Sequence, residues 1–312
     1  MKILVTGAGG FLGRHLTSAL DAAGFETRGL DLPSTSHHPR EGFIPCDLTD
    51  AASTRAALRG LSFDAVVHLA AASRTAPEAV AMRVAVKGTA NLLAALGGDF
   101  GGFVLAGSSA VYGSVPAGDQ PVVESRAPSP AGFYGAAHLS RERAVLDSLQ
   151  GRVPAICIFR MFNLVGPGQE PVMLVPQVAR KLALAEVGRP EPPLFTGSLE
   201  PKRDYVDVRD VAGAYVRWLS SGISGVHFVN ICSGASTSGL DVVRALCVLF
   251  GQPAPDAAGL PRAEAGAVMD LTGDGRAALD LLGWSASTPL ALSLEDTARD
   301  WRRRIRDREN RT

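Results

Sequence analysis

The chain opens on Lys2-Ile3-Leu4-Val5-Thr6-Gly7-Ala8-Gly9-Gly10-Phe11-Leu12-Gly13, an apolar run that leads into a glycine-rich segment. The apolar run predicts a buried strand, and residues 10–23 after it predict a helix. Glycine at positions 7, 10 and 13 allows a tight turn and a close approach of the backbone to a pyrophosphate. That charge would lie on the free N–H groups of the helix. This stretch therefore predicts a dinucleotide site that uses Gly7, Gly10, Phe11, Leu12 and Gly13.

An acid ends the next predicted strand, at Asp31. Its spacing of about 20 residues from the glycines is the one expected for a residue that binds the adenosine ribose. The carboxylate would accept hydrogen bonds from both ribose hydroxyls and would repel a 2′-phosphate there. Asp31 therefore favours NAD over NADP.

Composition gives no support for several other classes of protein, such as those that bind nucleic acids, membranes or metal ions. The 312 residues include 31 basic and 31 acidic ones, so net charge gives no reason to expect a nucleic acid or an anionic membrane surface as partner. We find no apolar run close to the roughly 20 residues that span a bilayer, and no signal peptide. Four scattered cysteines predict free buried thiols and no metal site. A soluble cytoplasmic protein is expected.

Apolar runs alternate with helical patterns through the first half of the chain. The predicted strands are residues 2–6, 27–31, 43–46, 65–69, 103–107, 155–160 and 226–231. The predicted helices are 10–23, 51–58, 77–96 and 134–149. Continuous apolar strands separated by helices predict an α/β fold, a Rossmann-type doubly wound parallel sheet covered on both faces.

Beyond Arg160 the alternation loosens, and repeated prolines predict a broken segment from 167 to 195. Short helices are expected at 239–250, 274–282 and 292–305. We therefore expect an NAD-binding domain formed by 1–165 and 203–232. Residues 166–202 and 233–312 would form a smaller, discontinuous C-terminal lobe that closes over the substrate.

Ligands of such sheets bind beyond the carboxyl ends of the strands. Four groups fall there: Asp47-Leu48, His68-Leu69-Ala70-Ala71, Ser108 to Gly113, and Tyr134 at the start of a helix. We expect Asp47 at the adenine edge, and small residues after His68 that let the cofactor lie against the backbone. His68 itself would donate a hydrogen bond to backbone. Tyr134 and His138 lie four residues apart, on one helical face.

These segments resemble an extended short-chain dehydrogenase/reductase of the nucleotide-sugar epimerase/dehydratase group, over essentially the whole chain. The further matching segments are Gly88-Thr89-Ala90-Asn91-Leu92-Leu93, Arg160-Met161-Phe162-Asn163, Gly166-Pro167-Gly168-Gln169, Arg203 to Val211, Asn230 to Gly234 and Leu282-Gly283-Trp284. The stretch from Gly197 to Asp210 most resembles GDP-4-keto-6-deoxymannose reductases and GDP-mannose dehydratases.

The resemblance implies roles for the matching positions. Ser108 would hydrogen-bond the sugar oxygen that is oxidised or reduced, and Tyr134 would be the general acid/base. The cofactor would contact Asp31, Asp47, Leu48, Leu69, Ala70, Ala71, Tyr134 and His138 besides the glycine turn. The substrate would contact Ser73, Ser109, Asn163, Val175 and Arg203, the last because a guanidinium matches phosphate oxygens.

One position departs from the family pattern, which has lysine four residues after the tyrosine; here it is His138. The lysine binds the nicotinamide ribose, and its permanent charge lowers the tyrosine pKa. An unperturbed histidine is only about a quarter protonated at pH 7. Three interpretations stay open: His138 keeps the ribose contact, His138 takes part in proton transfer, or redox turnover is lost. Ala85 also departs, where the family has an asparagine that braces the active site.

The resemblance implies an NAD-dependent enzyme that acts on a nucleotide-linked sugar through a 4-keto species. Ser109 and Ala110 stand where dehydratases of the group carry acids, so a 4-keto reductase or 4-epimerase is favoured. The alternatives are a dehydratase with an atypical proton relay through His138, and a non-catalytic NAD-binding regulator. Helices 77–96 and 134–149 would pair across a two-fold axis in a homodimer.

Overall fold

A computed structural model describes residues 1–33, 42–192, 197–256, 260–264 and 267–309. The strands are β1 (Lys2–Thr6), β2 (Glu26–Asp31), β3 (Ile44–Pro45), β4 (Ala65–His68), β5 (Gly102–Ser108), β6 (Ala155–Met161), β7 (Asn163–Val165), β8 (Lys202–Asp207), β9 (Gly225–Ile231) and β10 (Ser236–Ser238). The helices are α1 (Phe11–Ala22), α2 (Ala51–Leu58), α3 (Glu78–Arg83), α4 (Thr89–Leu96), α5 (Phe133–Leu149), α6 (Leu174–Glu186), α7 (Val208–Ser221), α8 (Gly239–Leu249), α9 (Arg276–Leu282) and α10 (Leu290–Glu309).

The large sheet has seven strands in the order β3-β2-β1-β4-β5-β6-β9, and every pair is parallel. The strand order reverses between β1 and β4, which opens a crevice beyond their carboxyl ends. Apolar clusters cover both faces: β1 alternates Ile3 and Val5 toward one cluster and Leu4 toward the other. The doubly wound parallel fold expected from the sequence is confirmed, and the predicted strands agree with the observed ones to within two residues at each end.

A second, three-stranded sheet in the order β10-β8-β7 was not anticipated. Its central strand, β8, reads Lys-Arg-Asp-Tyr-Val-Asp, which lacks the apolar alternation of a half-buried strand. Asp204 is nevertheless fully buried, because its carboxylate accepts hydrogen bonds from the backbone N–H groups of Ser233, Gly234 and Gly273. Burial of a paired polar group of this kind leaves no signal in hydropathy.

Two helices correct the sequence-based description. The proline-rich segment contains α6, with Pro176 in its first turn, where the missing N–H is one that a helix leaves unpaired anyway. Helix α7 was not predicted at all, although Val208, Val211 and Tyr215 face the core. Helices α6, α8 and α10 share one apolar cluster with Tyr205 of β8. Helix α9 packs instead against β9 and α7.

The expectation that no segment could span a membrane is also corrected. Helices α3 and α4 are joined by a π-helical turn at Val84–Gly88. Together they give one continuous helix of 19 residues that is long and apolar enough to cross a membrane. Length and composition are weak evidence here, since core helices of soluble proteins meet the same criteria. One face of this helix is buried in the protein, through Ala81, Ala85, Gly88 and Leu92.

Candidate active site

The glycine turn lies between β1 and α1, at the crevice. Gly7 has a φ of +71°, and a Cβ there would lie 2.8 Å from the Ala70 backbone nitrogen. A Cβ at Gly13 would lie 2.7 Å from Ala8 Cα, so neither position admits a side chain. The first turn of α1 therefore begins directly at the cleft, with its N–H groups unpaired within the helix. This geometry fits a pyrophosphate.

The Asp31 carboxylate lies beside the glycine turn and accepts hydrogen bonds from the backbone. One carboxylate oxygen accepts a hydrogen bond from Gly9 N at 2.9 Å, and the other accepts one from Leu32 N at 2.8 Å. Each carboxylate oxygen has a further lone pair for a ribose hydroxyl. Asp31 thus has two functions available to it: it fixes the glycine turn and presents acceptors beside it.

The other predicted cofactor residues divide into two groups. Leu69 and Ala71 line the cleft, and Ala70 backs the glycine turn from behind. Asp47 and Leu48 are not among the residues that line the cleft. The Asp47 carboxylate accepts hydrogen bonds from the backbone and hydroxyl of Thr49, and Leu48 is 6 % exposed.

His68 differs from its expected backbone contact. Its Nδ1 lies 2.7 Å from Thr6 Oγ1, and its Nε2 lies 3.1 Å from Thr89 Oγ1. Burial and the nearby Arg141 guanidinium hold its pKa well below the usual value, so the ring is neutral. The partners are side-chain hydroxyls, which link β1, β4 and α4 beneath the crevice. Sequence spacing alone could not reveal these contacts between distant residues.

Ser108 and Tyr134 face each other across the floor of the cleft, at the end of β5 and the start of α5. Burial raises the pKa of Tyr134. The positive charges of Arg74 and Arg141 and hydrogen bonding with Ser108 oppose that rise. Ser108 also accepts a hydrogen bond from Ala110 N at 3.2 Å, which fixes the hydroxyl oxygen. The pair can exchange a proton with an oxygen placed between them.

His138 stacks edge-on against Tyr134, with 4.7 Å between the ring centroids. Their predicted common face on α5 is confirmed. Burial, and secondarily Arg141, lowers the pKa of His138 to about 3, so the ring is neutral at physiological pH. Its Nδ1 is buried without a hydrogen-bond partner among the described residues. A neutral imidazole can hydrogen-bond a ribose hydroxyl but supplies no charge.

The opposite wall of the cleft contains Asn163 of β7, Val175 of α6 and Arg203 of β8. Arg74, which the sequence did not single out, lies over the Tyr134 ring, 5.6 Å from its centroid. Burial lowers the pKa of Arg203, and repulsion from Arg74 lowers it further. Two cations that repel each other across a cleft fit an anionic ligand.

The cleft holds about 690 Å³. It brings together 15 of the predicted site residues, namely Gly7, Gly10, Phe11, Leu12, Gly13, Leu69, Ala71, Ser73, Ser108, Ser109, Tyr134, His138, Asn163, Val175 and Arg203. Among the described residues that line it, Glu170 is the single carboxylate. In the described part of the chain, no group of three or more His, Cys, Asp or Glu side chains could hold a metal ion.

The sheet, the glycine turn and the Ser108–Tyr134 pair together define an extended short-chain dehydrogenase/reductase. The chain belongs to the NAD dependent epimerase/dehydratase family, whose model matches residues 3–232. It is 31% identical to GDP-6-deoxy-D-mannose reductase of Pseudomonas aeruginosa, over 98% of this chain and 99% of that protein.

Two solved structures are similar over nearly the whole fold. RMD from Pseudomonas aeruginosa, complexed with NADPH, superposes with a TM-score of 0.81 at 29% identity and covers 97% of this chain and 98% of its own. UDP-glucose 4-epimerase of Thermus thermophilus, in complex with NAD, superposes with a TM-score of 0.84 at 25% identity. The match covers 97% of this chain and 99% of the epimerase chain. These likenesses confirm the family predicted from the sequence.

Proposed function

We propose that this protein is an NAD-dependent oxidoreductase or isomerase that acts on a nucleotide-activated sugar through a 4-keto species. The observation that carries the proposal is the Ser108–Tyr134 pair, at the floor of a cleft with the glycine turn at one end and Arg203 at the other. Relatives of this chain carry the names of both a reductase and epimerases.

The roles of the residues follow from their positions. NAD, when bound, would take up or supply hydride at its nicotinamide. Tyr134 would move the proton to or from the sugar oxygen while Ser108 holds that oxygen in place. His138 would hydrogen-bond the nicotinamide ribose as a neutral imidazole. The first turn of α1 would bind the pyrophosphate, and Asp31 the adenosine ribose.

The nucleotide diphosphate of the substrate would lie at the far wall. Arg203 provides a guanidinium group at that wall and Arg74 provides a second one across the cleft, and such groups match phosphate oxygens in geometry and charge. Ser109 and Ala110 place no acid beside the sugar, and elimination of water needs one. We therefore favour a 4-keto reductase or a 4-epimerase over a dehydratase.

The test is to incubate the protein with NAD or NADH and a panel of UDP-, GDP- and dTDP-sugars, including 4-keto sugars, and to identify products by mass spectrometry. Consumption of NADH with a 4-keto sugar marks a reductase, and epimer exchange without net cofactor change marks an epimerase. NAD binding without binding of any nucleotide sugar would instead favour a non-catalytic regulator.

We further propose a cytoplasmic homodimer. The continuous helix over Glu78–Leu96 is apolar, yet only 33% of its most apolar 18-residue stretch is buried within this chain. Val86 on this helix is 46% exposed. A second copy that pairs this helix and α5 with its own would cover that face. Val86→Arg should then convert the dimer to monomer in analytical ultracentrifugation.

A further inference from the structure

Arg141 lies on α5 two turns beyond Tyr134, on the same face of the helix. Its side chain is 1% exposed. Nη1 donates a hydrogen bond to Ala106 O at 3.0 Å, and Nη2 donates one to His68 O at 3.3 Å. These carbonyls belong to the ends of β5 and β4, so the guanidinium lies directly beneath the catalytic end of the cleft.

The charge on Arg141 has no carboxylate bonded to it in the described part of the chain. The adjacent Glu142 turns to the other side and binds Arg160, at 3.2 and 2.9 Å. Arg141 Nε is buried without a hydrogen-bond partner among the described residues. A recess lined by Ala71, Ala81 and Ala85 adjoins the Arg141 guanidinium, and these three side chains bring no charge to it.

An unpaired buried cation is costly, because it loses its hydration and gains no compensating ion. Burial lowers the pKa of Arg141 to about 10, so the group is still positive at neutral pH. Its neighbours with ionisable side chains are Tyr134, Tyr215, His68, His138 and Glu142. A stabilising interaction with a tyrosinate would offset part of the cost.

The surroundings of Tyr134 leave few sources of positive charge. The titratable and charged groups near its phenol are Arg74, His138 and Arg141. His138 is neutral, and Arg74 lies in an exposed loop where solvent and salt screen its charge. Arg141 is the one buried, permanently charged group of the three.

We propose that Arg141 is a positioning residue that supplies the fixed positive charge stabilising the Tyr134 phenolate, a charge that residue 138 does not provide. In the reductive direction Tyr134 gives its proton to the sugar oxygen, and the O–H electron pair stays on the phenolate. Arg141 stabilises that phenolate from below the cleft. This inference rests on the proposed function for its catalytic consequence, but not for the charge interaction itself.

The test compares Arg141→Met, which removes the charge at similar length, with Arg141→Lys, which keeps it. Arg143→Met is the matched control, because Arg143 is on the same helix but exposed. The readout is the ultraviolet difference titration of tyrosinate in the presence of NADH, with Tyr134→Phe subtracted to isolate Tyr134 from the other three tyrosines.

Arg141→Met should raise the apparent pKa of Tyr134 by about one unit, the order of magnitude expected for the loss of a nearby unit charge at an effective dielectric constant near 20. Arg141→Lys should keep most of the wild-type value, and Arg143→Met all of it. With substrate, the rising limb of kcat/KM against pH in the oxidative direction should move up by the same amount for Arg141→Met alone.

A merely structural Arg141 would lower the melting temperature in both the Met and Lys variants and leave the Tyr134 titration unchanged, which would overturn the proposal. If neither variant folds, the wild-type protein decides. Tyr134 must titrate first of the four tyrosines, and titration with or after Tyr112 contradicts the role of Arg141. A shifted titration without turnover on any sugar would overturn the proposed function and leave this inference standing.

Discussion

Two buried arginines, Arg141 on α5 and Arg160 on β6, differ in the partners that hold their side chains. Arg160 donates two hydrogen bonds to the Glu142 carboxylate and further ones to Tyr112 and to the backbone oxygen of Glu124. Among the described residues, the hydrogen-bond partners of the Arg141 guanidinium are the carbonyl oxygens of Ala106 and His68. Both are at most 3% exposed. The charge on Arg160 is balanced, so its work is structural, whereas the charge on Arg141 acts on the site.

The difference also separates the two tyrosines nearby. Tyr112 donates to Asn230 Oδ1 at 2.7 Å, and burial raises its pKa to about 12. Tyr134 opens onto the cleft, with Ser108 and two arginines countering the effect of burial. A phenol tied into a buried network is a poor acid/base, while one placed over an unbalanced cation is a good one.

The largest expected effect is that of Tyr134→Phe. Removal of the proton donor should lower kcat by about 10²- to 10⁴-fold, the usual contribution of general acid/base catalysis. Steady-state kinetics and a melting curve are the measurements, and Tyr112→Phe is the control, which should lose stability but keep turnover. Full turnover in Tyr134→Phe would show that Tyr134 is not the proton donor. The charge on Arg141 would then have no catalytic role, and the two arginines would not differ in function.

Arg160→Met should destabilise the protein by about 3–5 kcal/mol, because it leaves Glu142 buried without its cation. Denaturant unfolding measures the loss. The loss should shrink at acid pH, since burial already raises the pKa of Glu142 and protonation removes the unpaired charge. The double variant Arg160→Met/Glu142→Leu should recover much of the stability. If Arg141→Met proved as destabilising as Arg160→Met, the two arginines would not differ in kind.

His138→Lys adds a second cation next to the phenol and sharpens the comparison. Lysine at this position lowers the pKa of Tyr134, so the rising limb of kcat/KM against pH should move to lower pH by about one unit, with the same product. Repulsion from Arg141 limits the shift. The double variant Arg141→Met/His138→Lys should return the limb close to the wild-type pH. An unchanged limb in the single variant would show that charge at residue 138 does not reach the phenol.

The sequence predicted the strands on the cofactor side of the cleft better than those on the substrate side, for a physical reason. Strands β1 and β4 are buried on both faces, and a glycine-rich turn follows β1 directly, so pattern alone locates them. Strand β8 is polar and is stabilised through Asp204 by backbone groups distant in sequence. No local pattern encodes such a contact.

Within the site itself, the sequence located Tyr134 and His138 on one helical face but passed over Arg141. The signal was present, since Arg141 stands seven residues after Tyr134 and therefore on the same side of α5. Arginines are usually exposed, so an arginine at this spacing does not by itself predict a buried charge. Only the depth of burial and the engagement of Glu142 with Arg160 distinguish it from an ordinary surface residue.

The smallest effect is expected at the far end of the cofactor site, away from both arginines. Asp31→Asn keeps the shape of the side chain but removes the charge that would repel a 2′-phosphate. The ratio of kcat/KM for NAD to that for NADP should fall by about tenfold, consistent with the loss of charged hydrogen bonds to ribose. The pH profile should not move, because Asp31 is remote from Tyr134. A shifted pH profile in Asp31→Asn would mean that even distant charges in the cleft change the pKa of Tyr134. The effect of Arg141 would then not be specific to its position.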